Sequence, residues 1–305
     1  MLKFLLRRGL LAVLVLLTVL TVSFALTRLS GDVAVSMAGA QATQEDVDII
    51  RKAYGLDRPL TVQFFSWVAG VATGDLGRSY LHHAPVGALI RARLPITLTL
   101  GATGLVIALC LALPLGILAA MNEGRVLDRA IMMVAVVGQA MPSFCLGLVL
   151  VIWLGVKWQL LPISGVDTWH GYILPGFVLA FSAVPALMRL TRGGMVDALA
   201  SDYVRTARAK GLTRLTVVMK HALRNAAMPV VAVAAVQLGF MLGGSIVIES
   251  VFALNGVGYL AWESIAKNDF PVVQAVVLFL ATIYIVLTLV ADLFNAALDP
   301  RLRIG

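Results

Sequence analysis

Apolar stretches long enough to cross a bilayer as helices run through this sequence, and they leave few folds open to it. A hydrocarbon core about 30 Å thick takes roughly 20 mostly apolar residues in helical form. Such runs occur at Leu10 to Leu26, Ile96 to Ala120, Ala130 to Val156, Ile173 to Leu190, Met228 to Ile248 and Val272 to Leu293. They predict an all-α, polytopic membrane protein with about six transmembrane helices. Pro114, Pro142, Pro185 and Pro229 fall in or at the edges of these runs. A soluble helix would break there, whereas a membrane helix has neighbours that re-satisfy the freed carbonyls.

Composition agrees. Hydrophobic residues make up 60% of the chain and charged residues 13%, against about 45–50% and 25% in soluble domains. The net charge of +8 raises nucleic acid as a partner. The Lys and Arg residues, however, lie in short segments between the apolar runs, so the basic excess is a topology signal. Lys3, Arg7 and Arg8 precede the first run, and the segment Arg192 to Arg224 carries Arg205, Arg208, Lys210, Arg214 and Lys220 against Asp197 and Asp202. Both segments are expected on the cytoplasmic side, and an even number of spans returns Arg301 and Arg303 to that side. Arg51, Lys52, Arg58, Arg78, Arg91 and Arg93 fall in residues 30–94, a loop long enough to translocate regardless of charge. The small residues Ala38, Gly39, Ala40 and Ala42 lie far beyond the first run, which is too long for a signal-peptide core and is expected to stay as an anchor. The chain thus divides into an anchor over 1–29, an extracytoplasmic helical segment over 30–94 and a core of five spans over 95–305, with a loop at 192–227.

The outer segment is amphipathic. Thr43 and Asp46 form a capping-box pattern, Val47, Ile50 and Tyr54 share a face, and Gly55 offers a left-handed stop. Pro59 starts a second helix with Leu60, Phe64, Trp67, Val68 and Val71 on one stripe. Gly74 to Gly77 predict a turn. His82 and His83 are adjacent, and so are expected as a solvated pair rather than zinc ligands. Cys110 and Cys145 sit in apolar runs without a CxxC spacing and are expected to pack.

The loop at 192–227 is polar enough to leave the bilayer, yet patterned. Met195, Leu199 and Tyr203 recur every fourth residue, basic residues crowd the following turns where a helix dipole favours cations, and Gly211 caps. Thr213 is a candidate N-cap for a second helix with Leu215, Val218, Met219, Ala222, Leu223 and Ala226 on its apolar stripe. Such a hairpin either lies on lipid headgroups or docks into another protein.

Arg205-Thr206-Ala207, followed three residues later by Gly211, resembles the EAA loop of type I ABC importer permeases. Arg205 stands where glutamate is usual, and His221-Ala222-Leu223-Arg224 where Ile-x-Leu-Pro is usual. The text from Asp202 to Leu212, with His221 to Ala226, resembles the dipeptide/oligopeptide/nickel branch of that family. So do Gly55 to Leu60, Gly74 to Gly77, Pro142-Ser143-Phe144, Leu161 to Gly165 and Asp299-Pro300-Arg301. Asn255 departs from it, standing where proline is common.

The resemblance implies the type I ABC importer permease fold, multi-pass in the bacterial cytoplasmic (inner) membrane with both termini cytoplasmic. It implies import of dipeptides or oligopeptides, with nickel or glutathione-like solutes as alternatives. The implied partners are a homologous second permease subunit, two ABC ATPases docking on the loop, an extracytoplasmic substrate-binding protein and the lipid bilayer, with no nucleic acid. ATP and Mg would be bound by the ATPases, with no cofactor, metal or catalytic residue in this chain. The implied coupling residues are Tyr203, Arg205, Thr206, Ala207, Arg208, Lys210, Gly211 and Leu215.

The sequence contains no phosphate loop, no HExxH and no GxSxG, so these usual signals for nucleotide hydrolysis and membrane hydrolases are absent. Gln139, Gln237 and Glu249 are polar groups in or near spans. They either bond between helices or line a solute path. A proton-coupled carrier would need Glu249, and a lipid-binding scaffold would need only the basic hairpin. Gly239, Gly243 and Gly244 form a small-residue face suited to close helix contact, inside the subunit or against a second permease.

Overall fold

A computed structural model describes residues 2–29, 31–39, 42–166 and 168–298. Ala40 and the tail positions Asp299, Pro300, Arg301 and Arg303 lie outside the described residues. Among those described, the regular elements are helices, with one isolated bridge between Arg78 and Pro85. They are α1 (Leu2–Leu29), α2 (Val33–Ala38), α3 (Gln44–Ala53), α4 (Leu60–Ala72), α5 (Val86–Met121), α6 (Val126–Ala140), α7 (Ser143–Leu150), α8 (Ile173–Ala200), α9 (Asp202–Ala209), α10 (Arg214–Thr216), α11 (Leu223–Val251), α12 (Val257–Ala266) and α13 (Phe270–Leu298). π-helical turns at Val151–Lys157 and Val217–Ala222 extend α7 and join α10 to α11.

Five helical stretches are long and apolar enough to cross a membrane: Leu6–Leu29, Val86–Met121, Trp169–Ala200, Arg214–Val251 and Phe270–Leu293. The third run, Ala130 to Val156, is broken. α6 stops at Ala140, and Pro142, extended at ψ 134°, opens α7. Proline has no N–H to donate and pushes the residue before it out of the helical region. The 15 residues of α6 span only about 22 Å, short of the bilayer core, so this run enters and continues as two pieces. Pro185 and Pro229, by contrast, sit inside continuous helices.

The chain divides into two compact units, Met1–Thr97 with Asn255–Ile285, and Leu98–Leu254 with Val286–Gly305. In the first, the last turns of α1 meet α4: the Phe24 ring lies edge-on to Phe64 at 5.3 Å and stacks on Trp67 at 6.0 Å. Gln274 Nε2 donates to Thr27 Oγ1 at 2.8 Å, which puts the end of α1 level with the start of α13. The capping box at Thr43 and Asp46 is formed, and Gly55 takes φ +64° as the α3 stop signal requires. Asp269 is buried and accepts from the Ser79 hydroxyl, Tyr80 N at 3.1 Å and Leu81 N at 3.3 Å, which anchors the turn after Gly77. That turn changes the reading of the histidine pair. His82 is half-buried, with Nε2 3.5 Å from Glu263, which also lies 3.8 Å from Arg93.

The second unit is built on α8, whose buried face runs from Leu174 to Ala198. A Cβ on Gly116 of α5 would lie 2.7 Å from Thr191 Cβ, and one on Gly176 of α8 2.9 Å from Thr103 Cγ2. Small residues therefore let these backbones approach closely, which drives helix association in lipid. On α11 the small-residue face is divided: Gly239 is buried, while Gly243 and Gly244 are exposed with open space at the Cβ position.

Candidate functional site

α8 outlasts its apolar run and ends at Ala200, so Met195 and Leu199 lie on its last turns rather than on a separate loop helix. Ser201 breaks the path at ψ 154°, and α9 begins at Asp202. Tyr203 is therefore on a different helix from the two residues whose spacing it shares. The acidic Asp202 opens α9 and Arg208 closes it, both favourable to the helix dipole.

α9 stops by a Schellman motif. Gly211 N donates to Arg208 O at 3.0 Å, Leu212 N donates to Ala207 O at 3.4 Å, and Gly211 takes φ +76°. Two residues on, Thr213 Oγ1 accepts from Thr216 N at 3.4 Å, the N-cap expected there. The helix it starts does not end as a separate piece. It passes through α10 and a π-helical turn into α11, one stretch from Arg214 to Val251. π-turns concentrate at functional sites, and no periodicity announces one. This one carries Lys220 and His221.

The packing sorts the loop residues into two groups. Val204 and Ala207, three apart on α9, are buried against Val217 with Leu199 alongside. Val218, Ala222 and Ala226 close on Met195, Ala198 and Ala120. The remaining expected coupling residues, Tyr203, Arg205, Thr206, Arg208, Lys210, Gly211 and Leu215, are exposed. Leu215 is 72% exposed and Met219 51%, so apolar side chains stand in solvent among cations. Arg205 lies 3.3 Å from Asp202, but both are largely exposed, and such a pair contributes little. Beside α9 a cleft of about 560 Å3 is lined by residues including Glu123, Arg125, Arg208, Leu212 and Arg214.

One ion pair behind this surface escaped sequence reasoning. Arg192 on α8 donates Nε to Asp128 Oδ1 at 2.6 Å and Nη2 to Oδ2 at 2.7 Å. Gly124 N also donates to Asp128 Oδ2, at 2.9 Å. These hydrogen bonds, the guanidinium's foremost, hold the Asp128 carboxyl down at about 2. The two residues are 64 positions apart, and nothing in the local text of either points to the other.

The three polar residues of the spans lie on two helices, α6 and α11. Gln139 is exposed on α6, its Oε1 accepting from Arg189 Nη1 at 3.4 Å. Gln237 is half-buried and Glu249 fully buried on α11. Twelve residues of helix separate these two by about 18 Å along the axis and about 120° around it.

Residues 112–304 match the family "Binding-protein-dependent transport system inner membrane component", and residues 1–101 match its N-terminal counterpart, "Binding-prot-dependent transport system membrane comp, N-term". The chain is 40% identical over 305 residues to the "Glutathione transport system permease protein GsiC" of Escherichia coli (strain K12), covering 99% of each. It is 41% identical to the protein of the same name from Salmonella typhi, also covering 99% of each. Among solved structures it resembles a chain of "Inward facing conformations of the MetNI methionine ABC transporter", with TM-score 0.59, 19% identity, and 69% of this chain and 96% of that one covered. At that identity the likeness bears on the fold.

Proposed function

The chain belongs to the binding-protein-dependent transport family as an ABC importer permease, multi-pass in the inner membrane, and from that membership we propose that it imports short peptides through coupling at α9. The observation that carries the coupling is the sorting on this loop. Val204 and Ala207 pin α9 to Val217, while Tyr203, Leu215 and the surrounding cations face outward. A helix held from behind with an apolar and basic front suits docking into a protein groove. In this scheme two ATPases bind that front and hold ATP and Mg, a homologous permease completes the pathway, and an extracytoplasmic protein delivers substrate. The termini and the 192–227 loop are then cytoplasmic. The permease is the bistable element that the ATPases bias.

Dipeptides and oligopeptides are the substrate class. Glutathione, itself a tripeptide, is the first compound to test, because permeases named for its transport match this chain end to end. The complete assembly, reconstituted in vesicles with its co-encoded ATPases and binding protein, is expected to take up labelled glutathione or a dipeptide only with ATP. Uptake by the purified chain alone, driven by a proton gradient, would replace this reading with a carrier using Glu249. ATP-driven uptake of nickel but not peptide would keep the machinery and change its cargo.

A further inference from the structure

A second cavity lies in the first unit and shares no lining residue with the cleft beside α9. It measures about 410 Å3 and is bounded by Arg28 near the end of α1, Gln63 and Trp67 on α4, and Gln274 in the first turns of α13, with Arg58 and Arg78 at its edge. The membrane-long part of α1 closes at Leu29 and that of α13 opens at Phe270. The cavity therefore lies where two spans end, at the level of lipid headgroups. Its neighbour α4 is apolar and has no buried residue, with Leu60 and Phe65 exposed, as in helices that rest in a membrane interface.

The lining calls for a ligand with two kinds of polar group. The lining holds three arginines and one carboxylate, Asp75, whose Oδ1 already accepts from Gly77 N at 2.9 Å, while Arg78 Nη2 donates to His83 O at 2.9 Å. The Arg28 guanidinium rests 5.1 Å from the Phe24 ring centroid, and its buried Nε has no acceptor. Gln63 Nε2 donates to the carbonyls of Leu56 and Arg58, at 3.1 and 2.7 Å, which fixes the amide orientation. Its Oε1 is then a buried acceptor without a donor. Both atoms belong to residues that line the cavity but have almost no accessible surface, so a ligand bonds them only by displacing the side chains that cover them; until then the unmet donor and acceptor cost free energy.

We propose that this cavity binds the headgroup of phosphatidylglycerol. The phosphate meets Arg28 and the neighbouring arginines, a glycerol hydroxyl donates to Gln63 Oε1, and the acyl chains run along α4. Soluble glycerol phosphate offers the same polar chemistry, so the test separates the two sources. The proposal rests on the membrane reading and is independent of the transported substrate.

The full chain, purified in detergent, is titrated with phosphatidylglycerol, phosphatidic acid, phosphatidylcholine and glycerol 1-phosphate, and adducts are counted by native mass spectrometry. Phosphatidylglycerol is expected to bind about tenfold more tightly than phosphatidylcholine, and Arg28→Gln to remove about tenfold of that affinity, the effect of one charge-assisted hydrogen bond. Gln63→Leu is expected to weaken phosphatidylglycerol but not phosphatidic acid, which lacks the glycerol hydroxyls. Arg91→Gln, at an exposed arginine outside the cavity, is expected to change nothing. If Arg28→Gln does not purify as a monodisperse protein, Arg58→Gln at the exposed edge takes its place. Equal retention of both diacyl lipids, an equal loss with Arg91→Gln, or displacement of the lipid by equimolar glycerol 1-phosphate overturns the proposal.

Discussion

Arg192 and Asp128 form a two-pronged ion pair, 2.6 and 2.7 Å long, that fastens the start of α6 to α8 two turns before α8 breaks into α9. Asp128 is 4% exposed while the Arg192 side chain keeps 27% of its surface, so removing one partner costs less than the about 3–5 kcal/mol of a fully buried pair. Asp128→Asn and Arg192→Gln are each expected to lower the melting temperature of the purified chain. The double variant should lose less than the sum, since the two act as a unit. The pH dependence has a definite sign. The carboxyl is depressed from 3.8 to about 2 in the folded chain, so its contribution is complete above the unfolded value and disappears as pH falls through about 2. The melting difference between wild type and Asp128→Asn should therefore be constant above about pH 5 and shrink between about 4 and 2. A difference that grows on acidification would contradict the assignment.

Ala207 and Leu215 separate support of α9 from contact by it. Ala207 is 5% exposed beneath α9, and Leu215 is 72% exposed in front. Ala207→Asp places a carboxylate in the small core with Val204 and Val217, and an unpaired charge there costs several kcal/mol. It should abolish uptake, leave membrane insertion intact and make the loop sensitive to protease. Leu215→Ala should leave protease resistance and melting unchanged while weakening ATPase recovery in pull-down, by about tenfold if the side chain is a buried anchor in the complex. If Leu215→Ala pulls down the ATPase as well as wild type does, the outward face is not the docking face.

Five of the six expected spans, the capping box at Thr43, the stop at Gly55 and the cap at Thr213 were legible because each depends on one continuous stretch of sequence. What escaped was either nonlocal or continuous. The periodicity that joins Met195 and Leu199 to Tyr203 is genuine, but Ser201 divides it, and an extended serine has no distinctive sequence signal. The helix after Thr213 reads as one arm of a loop hairpin because its polar first turns differ in composition from the apolar α11 they lead into. Pro142 was read as tolerated, as Pro185 and Pro229 are, although only structure distinguishes a proline whose neighbours re-satisfy the helix from one that ends it. Asp128 and Arg192 lay beyond any local pattern.

Gly211 tests the Schellman turn. At φ +76° an L side chain pays about 1–2 kcal/mol, and a β-branched one more. Gly211→Val is expected to loosen the turn that delivers Thr213 to its cap and to reduce ATP-driven uptake severely. Gly211→Asn, whose side chain tolerates the left-handed region, should retain most of it. The position has open space around a Cβ, so the two variants differ in backbone preference rather than in crowding. Equal loss by both would assign the glycine to a contact instead.

Gly116 and Gly243 place the two kinds of small-residue helix face side by side. A Cβ on Gly116 would meet Thr191 Cβ at 2.7 Å and Met188 O at 2.9 Å. Thr191 has little room to yield, because its hydroxyl donates to Leu187 O at 2.8 Å. Gly116→Ala should thus lower the melting temperature of the isolated chain by an amount equivalent to about 1–3 kcal/mol, the usual range for overpacking. Gly243 has nothing within 4 Å of a built Cβ. Gly243→Ala should leave the isolated chain as stable or raise it by about 0.5–1 kcal/mol, the helical preference of alanine over glycine. A larger residue separates packing from pairing. Gly243→Leu, with the isolated chain still intact, should reduce co-purification of the second permease if that subunit covers this stretch of α11. Undiminished co-purification would leave the open glycine face to lipid and move the pairing surface elsewhere on the subunit.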